Sequence, residues 1–269
     1  MAGRPHAAGT RAGHRRRGRH RPSRARPLGR EAEGQEPVTR KQPTGSSREE
    51  NAVGTGTRDE LLALPSLQLA PHLLGARVSS YIGGQLVVVR LTEVEAYDGS
   101  GDPGSHAYRG RTARNAGLFG PPGTAYVYFT YGMHHCANVV CGAEGTASAV
   151  LLRAAAVVSG LETVLARRGH PKGSDSRLLS GPARLAQGLG LTLDNNTSSF
   201  RNGVAGPPGP ELGLENVSGS PLPFLAGPRT GVAGAGGTEE YPWRFWLPGE
   251  PSVSPYRRAA GPKTRARRD

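Results

Sequence analysis

The sequence predicts an α+β fold, a single domain whose middle is mostly sheet with short helices around it. Three observations carry that reading. Runs of β-branched and aromatic residues are joined in pairs by tight glycine turns. Segments with helical apolar spacing flank them. The 36% apolar content of the 269 residues is enough to fill one core of about 200 residues, with tails left over.

In order along the chain, Leu61–Leu64 and Leu67–Leu74 place apolar residues at helical spacing, interrupted by Pro65 and Pro71. Arg77–Ile82 and Leu86–Tyr97 are two strands joined by the two-residue turn Gly83-Gly84. Tyr126–Thr130 and His135–Val140 form a second hairpin around Gly132-Met133, and Ala149–Arg153 is a further buried strand. Ser159 and Glu162 fit a capping box, Ser at the N-cap and Glu at the third position, for a surface helix that Gly169 stops. Ser180-Gly181-Pro182 opens another helix with proline in its first turn. Residues 201–240 read as glycine- and proline-rich loops, and Trp243–Leu247 as a late strand.

Charge divides the chain. The total is 34 − 21 = +13, and residues 1–50 hold thirteen Arg and Lys against five Glu, so more than half the excess sits there. Residues 1–55, with almost no large apolar side chains, are expected to be disordered. They are either an electrostatic arm for phosphate backbones or an extension from an arginine-biased composition. Residues 56–258 are then the folded domain and 259–269 a basic C-terminal tail. No apolar run approaches the ~18 residues of a membrane span, and an N-terminus broken by Arg and Pro lacks the apolar stretch of a secretory signal. Two cysteines make no disulfide framework.

Strand alternation places Val87, Val89, Leu91, Glu93, Glu95 and Tyr97 on one face, and Leu86, Val88, Arg90, Thr92, Val94 and Ala96 on the other. Two carboxylates ending an apolar face are either emerging into solvent beside arginines or doing work. A pair at i and i+2, roughly 6.5–7 Å apart at Cα, suits the acid and base of glycoside hydrolysis. The loop Gly99–Arg114, with His106, Tyr108, Arg109, Arg111 and Arg114, is cationic and suits an anionic substrate. Tyr126 and Tyr128 share a face, whereas Tyr131 falls on the opposite face or at the hairpin tip. Aromatic residues on a strand usually pack a core, but beside an arginine loop and a carboxylate they also fit an enzyme that takes a base out of a duplex. His134-His135-Cys136 with Cys141 does not converge on a metal, because alternation sends the four side chains two each way, so the cysteines are read as buried thiols.

Glu93–Tyr97, His106, Arg114-Asn115, Pro122–Met133, Val150–Ala154, Ser180–Leu185, Gly227–Arg229 and Trp243–Trp246 together resemble the alkylpurine (3-methyladenine) DNA glycosylase family, in order, over residues 58–256. The resemblance implies a curved antiparallel sheet with helices around it and a β-hairpin that enters the DNA minor groove. It implies Glu95 as the base that activates water and Arg153 as its partner. Tyr97, His106, Tyr126, Tyr128, Asn138 and Leu151 would line the pocket for the extruded purine, with Asn138 excluding guanine's exocyclic amine. Tyr131 would fill the vacated stack with Met133 beside it, and Glu93 falls to a supporting role. Arg109, Arg111 and Arg114 are the expected backbone contacts. The family's usual proline between Thr112 and Arg114 is Ala113 here, His135 replaces a frequent aromatic, and Gly231–Gly237 replaces a more ordered stretch.

The expected partner is damaged double-stranded DNA, met by a monomer without cofactor, metal or membrane. No lysine lies in a matched motif, since the three are Lys41, Lys172 and Lys263, so hydrolysis to an abasic site is expected rather than a Schiff-base lyase step. The arginine bias suggests a bacterial cytoplasm, and a basic tail also fits a nucleus. Two rival readings are a non-catalytic basic nucleic-acid-binding protein and a carbohydrate hydrolase working through Glu93 and Glu95.

Overall fold

The computed structural model describes residues 56–259. The expected disorder of residues 1–55 and most of the 259–269 tail lie outside them. Two short helices come first, α1 (Arg58–Leu62) and α2 (Ser66–Leu73). Thr57 and Glu60 cap α1 reciprocally, and Pro71 lies inside α2 rather than ending it. The hairpin β1 (Arg77–Ile82) and β2 (Gln85–Tyr97) follows. Gly83 and Gly84 both have positive φ, 63° and 73°, the backbone that a two-residue turn between right-twisted strands requires.

A second hairpin, β3 (Ala125–Thr130) and β4 (His134–Val140), leads to β5 (Ala149–Ser159), α3 (Leu161–Arg167) and α4 (Pro182–Leu189). Short strands β6 (Arg201–Asn202), β7 (Leu212–Glu215), β8 (Leu225–Gly227) and β9 (Arg244–Trp246) complete the sheet. Its order is β3-β4-β5-β2-β1-β7-β6, with β9 bridging β2 and β8. Every ladder is antiparallel except β6 with β7, so the sheet is mixed at that edge. The stretch 201–240 therefore holds three short strands where composition suggested only loops. β7 pairs with β1, and that tertiary pairing overrides a local composition poor in strand formers.

The capping box at Ser159 does not form. β5 runs on through Ser159, which pairs with Val88, and Gly160 caps α3 with φ 81° and no side-chain hydrogen bond. A Cβ at Gly160 would stand 2.4 Å from the Leu86 carbonyl oxygen, so only glycine makes this turn. At the other end the Gly169 N–H bonds the Ala166 carbonyl and the His170 N–H bonds that of Leu165, a Schellman closure.

The central strand β2 corrects the expected faces. In the β2–β5 ladder Leu91 pairs with Ala155 and Glu93 with Ala154, which leaves Thr92 as an extra residue. Val94 pairs with Leu152, which leaves Arg153 extra on β5. Each bulge flips the alternation. Val87, Val89 and Leu91 enter the main core from the first half of β2, and Val94 and Ala96 from the second. On β5, Val150 and Leu152 precede the flip and Ala155 follows it. Glu93, Glu95 and Tyr97 thus do not extend the apolar face of Val87–Leu91. They stand on the opposite side of the sheet, with Leu151 and Arg153 across from them.

That core also takes Leu69, Leu73 and Leu74 around α2, Val127 and Val139 from the second hairpin, and Leu185 and Leu189 from α4. Each such side chain contributes roughly 1.5–3 kcal/mol of burial. A smaller apolar cluster of Ala107, Leu118, Tyr126, Val140, Ala147 and Ala149 lies on the side that faces the carboxylates. No helix among the described residues is long and apolar enough to cross a membrane.

Candidate active site

A cavity of about 450 Å³ opens over the second half of β2. Glu95, Tyr97, His106, Tyr126, Tyr128, Tyr131, Asn138, Leu151 and Arg153 all line it. Of the residues to which the resemblance gives a role, Glu93, Met133, Arg109, Arg111 and Arg114 lie outside its lining.

Glu95 is fully buried at the cavity floor, where it accepts two hydrogen bonds and forms one ion pair. Tyr97 Oη donates to Oε2 at 2.9 Å, and the Thr230 N–H donates to Oε1 at 2.7 Å. Arg153 Nη1 stands 3.2 Å from Oε1. A carboxylate has about four acceptor positions, so hydrogen bonds leave part of that capacity open. The Thr230 hydroxyl is buried and has no hydrogen-bond partner among the described residues.

Glu93, two residues earlier, has no such freedom. Oε1 accepts from Arg153 Nε at 2.8 Å, Arg244 Nε at 2.6 Å and Ser254 Oγ at 2.8 Å, while Oε2 accepts the Ser254 N–H at 2.7 Å. Burial pushes its carboxyl up, but Arg153, Arg244 and the Ser254 donors outweigh that and hold it below the ordinary value. Burial works against the charge of Arg153 too, and Glu95 and Glu93 more than restore it.

A second buried pair braces the pocket from behind. Arg229 and Asp102, both 0% exposed, join through two hydrogen bonds of 2.5 Å. Arg229 also donates to the carbonyls of Ala96 and Gly236, and its guanidinium lies 4.5 Å from the Tyr97 ring centroid. Tyr97 is therefore held from one side by a cation and at its hydroxyl by Glu95. Its hydroxyl is raised well above the ordinary value by burial and by Glu95, so it stays a donor. Three carboxylates (Glu93, Glu95, Asp102) and three guanidiniums (Arg153, Arg229, Arg244) are buried around this site, each sign compensating the other as buried charges require.

The remaining walls are aromatic. Tyr126 and Tyr128 stack at 5.6 Å with an interplanar angle of 27°. His106 stands edge-on to Tyr128 at 4.6 Å, its Nδ1 3.2 Å from the Tyr126 hydroxyl. Partial burial of a ring that stays exposed at the pocket mouth, with Arg114 adding to it, lowers the His106 pKa, which favours a neutral ring. Asn138 is buried and anchors its amide nitrogen on the Tyr126 carbonyl at 3.0 Å. Cys136 adds a buried thiol to the lining, whereas Cys141 packs in the main core, where burial pushes its thiol up to about 12. Among the described residues no His, Cys, Asp and Glu side chains cluster in a way that could hold a metal ion.

The tip of the β3–β4 hairpin forms the rim. Tyr131 is 82% exposed with φ 52°, a backbone costing a non-glycine residue about 1–2 kcal/mol, and Met133 beside it is 68% exposed. Arg109, Arg111 and Arg114 are exposed. Arg111 stacks over Phe119 at 5.3 Å, and Arg114 donates to the Phe129 carbonyl near the tip of the hairpin.

The sequence reading did not single out Asp102, Thr230, Val232 or Ser254, and it quoted Arg229 and Arg244 only inside motifs. For Arg244 a signal exists: Trp243 and Phe245 alternate with Arg244 and Trp246, so one face of that strand must carry an arginine inward. Asp102 and Ser254 carry none. Gly231–Gly237 is no open loop, because Gly231, Val232 and Ala233 form a wall of the cavity.

A family model described as methylpurine-DNA glycosylase matches residues 60–251. A Streptomyces avermitilis protein is 51% identical over 203 residues, 74% of this chain and 90% of its own length. One from Leifsonia xyli subsp. xyli is 52% identical over 205 residues, covering 75% and 92%, and one from Mycobacterium bovis 41% identical over 217 residues, covering 78% and 98%. All three are named as 3-methyladenine DNA glycosylases.

Proposed function

The chain belongs to the methylpurine-DNA glycosylase family and is a DNA glycosylase, a hydrolase of DNA repair, and from that premise we propose that it turns alkylated purines out of duplex DNA into the pocket over Glu95 and hydrolyses their N-glycosidic bond. The observation that carries the reading is the carboxylate of Glu95 at the floor of an aromatic cavity, with Arg153, Tyr97 and Thr230 fixing it.

A 3- or 7-alkylated purine is already cationic, so it leaves the sugar without being protonated. Glu95 takes one proton from water as the water oxygen bonds to C1′. The C1′–N9 bond breaks, and its electron pair passes to the purine and cancels the positive charge. The positioned base contributes roughly 10²–10⁴-fold, and its negative charge steadies the oxocarbenium-like sugar. The rings of Tyr97, Tyr126, Tyr128 and neutral His106 hold a cationic plane at about 0.5–2 kcal/mol per face when desolvated. Asn138 and Leu151 bound the pocket, and Asn138 disfavours guanine's exocyclic amine, a penalty that excludes intact guanine but that the weakened glycosidic bond of cationic 7-methylguanine offsets. Tyr131 fills the gap in the stack with Met133 alongside, and Arg109, Arg111 and Arg114 meet phosphates.

Among the described residues no lysine lines the cavity, which favours hydrolysis to an abasic site over a lyase step. Glu93 has both oxygens engaged and does not line the cavity, which argues against a two-carboxylate carbohydrate hydrolase. Residues 56–258 act as the catalytic domain of a monomer in a bacterial cytoplasm, and the basic segments 1–55 and 259–269 add affinity for the phosphate backbone.

The test is a set of duplexes, each with one defined lesion, scored for free base and for strand integrity. Release of 3-methyladenine and 7-methylguanine, with hypoxanthine and ethenoadenine as the further candidates, is expected to leave an intact abasic strand. Release of no base from any duplex, with DNA binding that vanishes when residues 1–55 are deleted, would favour a non-catalytic binder.

A further inference from the structure

Glu93 touches none of the pocket yet is tied to it through one side chain. Arg153 gives its Nε to Glu93 at 2.8 Å while its Nη1 stands 3.2 Å from Glu95. One guanidinium is thus shared between two carboxylates. Arg244 meets the same Glu93 oxygen at 2.6 Å, and Trp246 stacks over Arg244 at 4.6 Å. Ser254 bonds both Glu93 oxygens and accepts from Arg153 Nη2 at 3.0 Å, so the geometry of all three charges is fixed.

If Arg153 faced Glu95 alone, its full positive charge would oppose the uptake of a proton by Glu95. Glu93 competes for that charge, and Arg244 limits how far it does so. The other titratable groups around Glu95 are neutral or have their charge compensated. From β2 comes the Tyr97 hydroxyl, from the β3–β4 hairpin Tyr128 and Cys136, and burial raises the pKa of all three, which favours their neutral forms. From the loops come His106, favoured neutral, and Arg229, which is compensated by Asp102.

We propose that Glu93 and Arg244 together meter the positive charge that Arg153 presents to Glu95, and so set how readily Glu95 takes the proton of the attacking water. Glu93 and Arg244 are then positioning residues acting through Arg153. The inference rests on Glu95 being the base.

The test is the pH dependence of single-turnover release of 3-methyladenine from methylated duplex DNA. Removing the negative charge in Glu93→Gln moves the acid limb of the rate profile to lower pH, by about one unit. Removing the positive charge in Arg244→Gln moves it to higher pH by a similar amount, and Arg244→Lys leaves it in place. Thermal melting accompanies each variant, and if Glu93→Gln does not fold, Arg244→Gln carries the test alone. Limbs that stay put in folded variants, or that move in the same direction, overturn the proposal, because loss of packing alone gives no opposed shifts. Glu95→Gln run alongside separates the two claims. Wild-type release by that variant removes Glu95 as the base, whereas its inactivity with unmoved limbs in the others removes only this inference.

Discussion

The two halves of β2 both feed the main core and differ in what they turn away from it. Before Thr92, Val87, Val89 and Leu91 enter the main core. After it, Val94 and Ala96 take over that packing, and Glu93, Glu95 and Tyr97 turn to the other side of the sheet. One inserted residue, matched by Arg153 across the ladder, lets a single strand serve as core and as active-site floor without burying a carboxylate among aliphatic side chains. The bulge is what reconciles an apolar strand with two acids.

Deleting Thr92 breaks this contrast most completely. The faces of residues 93–97 then swap, Glu93 and Glu95 point into the core, and a variant with no cooperative thermal transition is expected by circular dichroism. Leu91→Ala attacks the core half alone. It should lower the unfolding free energy by about 2–5 kcal/mol in urea titration, while the folded variant releases base at close to the wild-type rate.

Tyr131→Gly probes the rim of the site half. Relief of the positive φ should keep or raise the melting temperature, while release of base from a paired duplex falls by about tenfold or more, given stacking worth about 1–3 kcal/mol. Release from a lesion that is already unpaired should fall less. The smallest effect belongs to His106. Burial and Arg114 lower its pKa, so its neutral form stabilises the fold above the ordinary value of about 6.5. That contribution is lost as pH falls below about 6.5 through the lowered value. Urea midpoints measured from pH 7 to 5 should therefore decline less in His106→Asn.

Much of this was legible in the sequence where a local rule sufficed. Gly83-Gly84 dictated a two-residue turn, and Gly132 after an aromatic run marked a hairpin that left two places open for Tyr131, of which the structure takes the exposed tip. The resemblance gathered Glu95, Tyr97, His106, Tyr128 and Arg153, and they do line one cavity. Simple alternation failed at Thr92, because a bulge is decided by the partner strand and not by the residue that bulges. The capping box at Ser159 failed for a related reason, since pairing with Val88 holds that residue extended. Asp102 and Arg229 lie 127 residues apart, and no local pattern brings them together behind Tyr97.

The most direct test of the account is single-turnover release of 3-methyladenine from methylated duplex DNA by Glu95→Gln, with affinity for the same DNA measured in parallel. The account predicts a rate lower by about 10²–10⁴-fold at unchanged affinity and melting temperature. Release at the wild-type rate by a folded, DNA-binding variant would contradict it.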